Sequence, residues 1–280
     1  MTETGMTETG MTETGMSETN ASSEVRILVL QHDASDPLLR VGDWLADADA
    51  IVDILRLYDD DDVPADLTGY QAVISLGGEM GAYDDDIAPW LPATRDLLAH
   101  AVNTRTPTLA VCLGSQLLAV ATGGTVTIGA EGPEVGAYLT AKRDAAEQDP
   151  LFDPLPMTPD VMQYHYDVVS TLPPGAVLLL SSTGYPHQAW RIGSAAWALQ
   201  FHIEASAEDL RAWGRTEGRE PVGRLGPVLD QAEEVMGEVW RDFTARFVEF
   251  ARTSTARSST SYTHHDDELL GRRLPLHGHQ

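Results

Sequence analysis

The chain is organised around one segment, Thr108-Leu109-Ala110-Val111-Cys112-Leu113-Gly114-Ser115-Gln116-Leu117-Leu118-Ala119. A short apolar run meets a turn of small residues and continues into an apolar stretch with helical spacing. This pattern predicts a strand, a sharp turn and a helix, with Cys112, the one cysteine of the sequence, at the corner. The unpaired N–H groups and the positive dipole end of the helix start would lie beside the thiol, and both favour the nucleophilic thiolate.

A second segment supplies partners for a cysteine nucleophile. It reads Ala198-Leu199-Gln200-Phe201-His202-Ile203-Glu204. Alternate side chains of a strand share one face, so we expect His202 and Glu204 to point the same way. A lone cysteine is commonly only a small buried apolar residue. A thiol, a histidine base and a carboxylate that orients the base are together the groups that nucleophilic catalysis needs.

These segments resemble the class I, or triad, family of glutamine amidotransferases. In that family the nucleophile lies in a Gly-x-Cys-x-Gly-x-Gln turn, matched here by residues 110–116, and a His-x-Glu pair follows Gln-Phe, as in residues 200–204. A third family block, a strand that ends in Gly-Gly, is matched by residues 72–80. The resemblance covers roughly residues 25–250 and is strongest to stand-alone domains similar to the amidotransferase part of GMP synthase.

The resemblance implies hydrolysis of the side-chain amide of L-glutamine or of a related γ-glutamyl compound. Cys112 would attack the amide carbon, His202 would act first as base and then as acid, and Glu204 would orient His202. Backbone N–H groups after the third strand and at the helix start would stabilise the oxyanion. The residues implied for this oxyanion hole are Gly77 or Gly78, together with Leu113.

Two further side chains are implied to contact the substrate. Gln116 lies one helical turn after Cys112 on the same helix face, and in the family this glutamine helps to hold the substrate. His165, in Tyr164-His165-Tyr166-Asp167, matches the strand that contacts the backbone groups of the bound glutamine. The alternatives are an ordinary polar residue of a first helical turn for Gln116 and a packed strand residue for His165.

Two positions depart from the family pattern. Ala110 replaces the glycine two residues before the nucleophile, and Ile203 replaces the proline between the histidine and the glutamate. Neither change removes a chemical group, so the predicted triad stays intact. Both changes favour a substrate that differs from the usual substrate of the family.

Strands that alternate with helices predict an α/β fold with a mostly parallel central sheet and helices on both faces. The resemblance implies its three-layer, flavodoxin-like form. Active sites of such sheets lie at the carboxyl ends of the strands, where the Gly-Gly and Cys112 turns both fall. A smaller antiparallel part is predicted from strands over 137–141, 162–169 and 176–182 and a hairpin over 188–202.

The composition predicts one domain between two disordered tails. Residues 1–23 contain three copies of Met-Thr-Glu-Thr-Gly and too little apolar surface to fold. Residues 24–253 form the predicted amidotransferase domain, and residues 254–280 form a polar tail whose histidines match no established metal site. We therefore predict neither a metal nor a cofactor. Because each repeat begins with a methionine, Met1, Met6, Met11 and Met16 are all candidate start residues.

The formal net charge of −25 and the single cysteine argue against several classes of protein. Binding to nucleic acid or to an anionic membrane needs clustered Lys and Arg, of which the sequence has few. No apolar run is long enough to span a membrane, and the acidic N-terminus is not a secretory signal. A single cysteine cannot form an internal disulfide, which fits the reducing cytoplasm.

Three functions remain open. The first is a glutamine amidotransferase or glutaminase; because the sequence has no Gly-x-x-x-x-Gly-Lys-Ser/Thr nucleotide loop, a separate synthetase subunit would accept the ammonia. The second is a stand-alone cysteine hydrolase of γ-glutamyl amides or peptides, with the same triad and a different leaving-group pocket. The third is a catalytically silent, amidotransferase-like interaction protein.

Overall fold

The computed structural model describes residues 24–216 and 226–269, with side chains as far as residue 254. The strands are β1 (Val25–Gln31), β2 (Ala50–Arg56), β3 (Ala72–Ser75), β4 (Thr108–Val111), β5 (Thr125–Ile128), β6 (Glu134–Leu139), β7 (Ala141–Lys142), β8 (Asp160–His165), β9 (Asp167–Thr171), β10 (Val177–Ser181), β11 (Ala189–Ile192) and β12 (Ala196–Leu199). The helices are α1 (Leu39–Asp47), α2 (Leu91–Thr104), α3 (Leu113–Ala121), α4 (Ala207–Thr216) and α5 (Pro227–Leu269).

An eight-stranded sheet with the strand order β2-β1-β3-β4-β12-β11-β10-β7 forms the centre of the molecule. The strands from β2 to β12 in this order run parallel, and the last three strands are antiparallel to their neighbours. Helices α1 and α5 cover one face of the sheet, and α2 and α3 cover the other. The predicted three-layer α/β fold with a mostly parallel sheet is therefore confirmed.

Both faces of β1 are buried, which explains its nearly continuous apolar sequence. Ile27 and Val29 belong to the core beneath α1 and α5, whereas Leu28 and Leu30 pack on the side of α2. The α5 side of the core is closed by large aromatic rings that are fully buried. These rings are Trp240, Phe243 and Phe247.

The parallel strands place their carboxyl ends at one edge of the sheet, and the turns that follow them build the candidate site. Asp36 follows β1, Gly77 and Gly78 follow β3, Cys112 follows β4, and His202 follows β12. Segments that are far apart in sequence thus meet at the sheet edge where the predicted fold places its active site.

The antiparallel part differs in detail from the sequence prediction. The strand predicted over 162–169 is two strands, because β8 pairs with β6 and β9 pairs with β5, and the chain bends between them at Tyr166. Strand β5 was not predicted, since only one of its four side chains is buried. The second strand of the predicted hairpin ends at Leu199, before His202 and Glu204.

Helix α5 continues to Leu269, whereas the sequence predicted disorder from residue 254. No proline or glycine occurs between Gly237 and Gly271, so no residue in this stretch breaks the helical backbone. The repeat tail over 1–23 and the end of the chain over 270–280 lie outside the described residues. Within the described part, no helix combines the length and the apolar character that crossing a bilayer requires.

Candidate active site

Cys112 occupies the sharp turn between β4 and α3. Its φ angle is 49°, in the left-handed region that side chains rarely adopt, which costs on the order of 1–3 kcal/mol. The turn is held from two sides: the Cys112 N–H donates to the carbonyl oxygen of Leu199 (2.8 Å), and the Gly114 N–H donates to that of Leu76 (3.0 Å). The strained backbone is therefore fixed by the neighbouring strand ends.

Close packing between β3 and α3 explains the glycine at position 114. A Cβ atom there would overlap the backbone carbonyl of Ser75. Gly78 is confined in the same way, since an added Cβ would lie 3.0 Å from the Leu113 side chain and 2.7 Å from the Met80 sulfur. The end of β3 and the start of α3 are thus pressed together beside Cys112.

Two of the residues predicted for the oxyanion hole line the same cavity as Cys112, namely Gly78 and Leu113. Leu113 is the first residue of α3, so its N–H has no acceptor within the helix. Gly77 is not among the described residues that line this cavity, and a Cβ atom built on it would meet Asp36 and His202. Of the two alternatives after β3, this placement favours Gly78.

His202 and Glu204 lie beyond the end of β12, so the strand geometry predicted for them is wrong. His202 makes an isolated bridge, with its N–H donating to the carbonyl oxygen of Met162 (2.8 Å). The two side chains nevertheless meet, because the Nδ1 atom of His202 lies 2.5 Å from the Oε1 atom of Glu204. Both residues are almost completely buried.

This contact assigns the two nitrogens of His202 to different tasks. Nδ1 donates its hydrogen to Glu204, which leaves Nε2 as the nitrogen that is available to exchange a proton. The buried Nε2 atom has no hydrogen-bond partner among the described residues. Burial lowers the pKa of His202, but the Glu204 carboxylate and the Cys112 sulfur outweigh it and raise the pKa well above its ordinary value.

Two glutamines connect the nucleophile to the antiparallel part. The Gln116 amide donates to the backbone oxygen of Asp167 (3.0 Å) and lies 3.5 Å from the Gln200 amide oxygen. The Gln200 amide nitrogen in turn lies 3.9 Å from the Cys112 sulfur. The structure therefore brings Gln116 into the site and adds Gln200, which the sequence showed only as the residue before Phe201 in the His-x-Glu block.

His165 also lines the cavity, and both of its ring nitrogens are engaged. Nε2 lies 3.2 Å from a carboxylate oxygen of Glu134, and Nδ1 lies 3.1 Å from the backbone oxygen of Asp167. The same Glu134 carboxylate accepts hydrogen bonds from Gln188 and Ser182. A ring contact from His165 to a substrate would have to replace one of these bonds, so the structure favours the packed alternative for this residue.

Asp36 is a member of the site that the sequence analysis missed. Its residue is 8 % exposed, and it lines the cavity after β1. Burial raises its pKa to about 7; His202 opposes the shift, and the carboxylates of Glu204, Asp33 and Glu79 add to it. The position of Asp36 after a parallel strand is the one signal that could have indicated it.

The cavity has a volume of about 520 Å³, within the roughly 300–1,000 Å³ range of small-molecule sites. Its lining contains three carboxylate side chains, those of Asp36, Glu79 and Asp167, and no Lys or Arg among the described residues. No cluster of metal-ligating side chains occurs in the part of the chain that the structure describes. The arrangement supplies a thiol, a buried base and a free helix start, the groups that cleave an amide through an acyl-enzyme.

Comparison with known proteins finds one family whose sequence model matches this chain. The sequence model of the family described as glutamine amidotransferase class-I matches residues 44–212, which lie inside the predicted domain. The glutamine-hydrolyzing GMP synthase of Christiangramia forsetii is 33% identical over 143 residues, which cover 51% of this chain and 26% of that protein. The chain thus spans about a quarter of the length of this relative.

Two further comparisons extend the match. Gamma-glutamyl peptidase 4 of Arabidopsis thaliana is 26% identical over 147 residues, covering 52% of this chain and 58% of that protein. The crystal structure of a glutamine amidotransferase from Thermotoga maritima superposes with a TM-score of 0.72 at 29% identity. That superposition covers 81% of this chain and 99% of the other.

Proposed function

Since this chain belongs to the class-I glutamine amidotransferase family, we propose that it hydrolyses the side-chain amide of L-glutamine through a γ-glutamyl thioester on Cys112. One observation carries the proposal. The buried His202 ring is held by Glu204 through one nitrogen, while the other nitrogen is unpartnered and the ring lines the same cavity as the Cys112 thiol.

The first half of the reaction forms the thioester. The sulfur of Cys112, after its proton has passed to Nε2 of His202, attacks the amide carbon and forms a C–S bond. The tetrahedral intermediate collapses, the C–N bond breaks, and the protonated His202 gives its proton to the leaving ammonia. Glu204 stabilises the cationic ring between these steps.

The second half releases glutamate. A water molecule gives a proton to His202 and attacks the thioester carbon, and the C–S bond breaks to return the Cys112 sulfur. Both tetrahedral intermediates carry an oxyanion, which the N–H groups of Gly78 and Leu113 would stabilise. Loss of one such donor typically costs about 10²–10³ in rate.

The ammonia would pass to a separate synthetase subunit. This proposal draws on the GMP synthase relative, which is named as glutamine-hydrolyzing and of which the chain covers only 26%. The alternative is release of ammonia into solution by a free-standing glutaminase. Glutamate formation in the presence and absence of a candidate synthetase separates these two outcomes.

The test of the proposed chemistry is glutamate release from L-glutamine by the purified protein, with Cys112→Ala as the matched variant. We expect release that depends on Cys112 and covalent labelling of Cys112 by an electrophilic glutamine analogue. Equal release by the wild type and Cys112→Ala would overturn the proposal. A wild type that neither releases glutamate nor reacts with the analogue would favour the catalytically silent interaction protein.

A second candidate function is hydrolysis of γ-glutamyl amides or peptides by the same triad. It is supported by the gamma-glutamyl peptidase relative and by a cavity of about 520 Å³ around the thiol. Only the leaving group differs, so the thioester and its hydrolysis would be unchanged. Comparing glutamate release from L-glutamine with release from γ-glutamyl peptides distinguishes the two substrates.

A further inference from the structure

The wall of the cavity beside His202 contains an acidic side chain that the triad does not use. Asp36 is 8 % exposed, and the structure gives its carboxyl group no hydrogen bond to the described residues. A Cβ atom built on Gly77 would lie 3.0 Å from the Oδ2 atom of Asp36 and 3.2 Å from the Cε1 atom of His202. The carboxyl group and the imidazole therefore flank the same point of the backbone.

An aromatic ring completes this wall. The rings of Trp213 and His202 meet edge to face with centroids 4.9 Å apart. The indole N–H of Trp213 donates to the backbone oxygen of Ser35 (3.2 Å), which ties α4 to the loop that carries Asp36. Asp36 and Trp213 line the same cavity, and a carboxylate and an aromatic ring are both groups that attract an organic cation.

The reaction geometry indicates which part of a substrate reaches this wall. His202 delivers a proton to the leaving nitrogen, so that nitrogen must lie within hydrogen-bond reach of Nε2. Any group attached to the leaving nitrogen then extends along the residues that adjoin the His202 ring. The γ-glutamyl part would then occupy the remaining cavity lining, which includes Gln116.

We propose that Ser35, Asp36 and Trp213 form a leaving-group subsite that binds a cationic amine, so that the preferred substrates are γ-glutamyl amides whose leaving amine carries a second, protonated amino group. The inference rests on the proposed function and specifies its substrate class. It is supported by the unpartnered, buried carboxyl group and by the absence of Lys and Arg from the described cavity lining. Cleavage follows the steps above, with the protonated diamine leaving in place of ammonia.

Binding to the Cys112→Ala protein tests the subsite without requiring catalysis. The probes are γ-glutamyl-(3-aminopropyl)amide, the neutral γ-glutamyl-butylamide of similar length, and the anionic γ-glutamyl-β-alanine. Calorimetry at pH 8 keeps Asp36 above its pKa of about 7. We expect the aminopropyl amide to bind at least about tenfold more tightly than the butylamide, and the anionic probe to bind most weakly.

Asp36→Asn in the same background should reduce the ratio of the two affinities to about one. Glu79→Gln is the matched control, because it removes a carboxylate that lines the same cavity but is exposed and is not in the His202 wall. The ratio should persist in that control. Asp36→Ser provides a second test if the asparagine variant does not fold, as judged by circular dichroism.

Three results would overturn the subsite. The first is a ratio near one in the Cys112→Ala protein itself. The second is an equal loss of ratio in Asp36→Asn and Glu79→Gln, which would indicate only the diffuse charge of the cavity. The third is a uniform loss of affinity for all three probes in Asp36→Asn, which would place Asp36 against the α-amino group of the glutamyl part.

The proposed function and the subsite fail in different ways. If the probes are discriminated but the wild type releases no Cys112-dependent glutamate from any of them or from glutamine, the hydrolase proposal is overturned, and only binding of a cation beside Asp36 is retained. If glutamate is released from glutamine and from all amides without charge preference, the hydrolase stands and the subsite is overturned.

Discussion

Two histidines pair with glutamates at the wall of one cavity, and the surroundings of the two rings differ. His202 contacts Glu204 through Nδ1, and its Nε2 atom has no partner among the described residues. His165 contacts Glu134 through Nε2, but its Nδ1 atom faces the backbone oxygen of Asp167. The first ring can exchange a proton with a ligand, and the second ring has both nitrogens engaged.

The two carboxylates, those of Glu134 and Glu204, also differ in how many hydrogen-bond partners they have. Glu134 accepts hydrogen bonds from the side chains of Gln188 and Ser182 as well as facing His165, so it is the centre of a structural network. Glu204 has one oxygen on His202 and a second buried oxygen without a partner in the described part of the chain. A buried His–Glu pair therefore indicates a proton-transfer group only when one histidine nitrogen remains available.

The largest expected effect separates the two histidines. His202→Gln should lower kcat for glutamate release by about 10⁴–10⁶-fold, because the thiol loses its base and the leaving group its acid. His165→Gln should change kcat/KM by less than about tenfold, mainly through KM, since it removes a hydrogen bond from the wall. Steady-state kinetics of the two purified variants measure the difference.

Equal losses of kcat in both variants would contradict the distinction between the two rings. Thermal unfolding of each variant serves as the control for folding, so that a loss of activity is attributed to chemistry only in a folded protein.

Substitution of Glu204 should mainly affect kcat, whereas substitution of Glu134 should mainly affect the free energy of unfolding. Glu204→Gln should lower kcat by about 10²–10⁴-fold, because the neutral amide does not stabilise the charged ring and can favour the wrong tautomer. Glu134→Gln should instead lower the free energy of unfolding by about 1–3 kcal/mol, since an amide nitrogen would face donors in a buried network. Urea unfolding measures the change in stability of both variants, and steady-state kinetics measures the change in their kcat.

A Glu134→Gln protein with unchanged stability and a large loss of kcat would reverse the assignment of the two pairs. The isosteric change is useful because neither variant creates a cavity, and the side-chain volume is the same in both.

The smallest expected effect is a shift in titration. Glu204 and the Cys112 sulfur raise the pKa of His202 despite the burial of the ring, so the ring loses its proton only as the pH rises through this raised value. Glu204→Gln should lower that pKa, because the neutral amide no longer favours the charged ring. NMR titration of ¹⁵N-labelled histidines measures the shift, and Glu134→Gln, the matched control, should leave the His202 titration in place.

The sequence predicted the parallel half of the molecule closely because its signals are local. An apolar strand buried on both faces and a helix with an apolar stripe can be recognised within about ten residues. The strand, turn and helix predicted around Cys112 are found as β4, Cys112 and α3. The antiparallel part was predicted less accurately, since its short strands depend on partners distant in sequence, as the bend at Tyr166 illustrates.

The candidate site also contains residues that the sequence indicated and residues that only the structure revealed. Cys112, His202 and Glu204 were indicated by residue type and spacing, and their catalytic roles remain a proposal. The contact between His202 and Glu204 does occur, although not through the strand alternation that predicted it. Asp36 and Glu134 had no local pattern, because a carboxylate gains its significance only from what surrounds it.

The sequence by itself determined the fold class, the family resemblance and the chemical groups of the candidate triad, because these depend on periodicity, glycine positions and residue type. Tertiary structure alone decided which histidine nitrogen is available, which glycine lines the cavity and where an unpartnered carboxyl group lies. The physical reason is that hydrogen-bond partners and burial arise from contacts between segments far apart in the chain, and no local pattern encodes them.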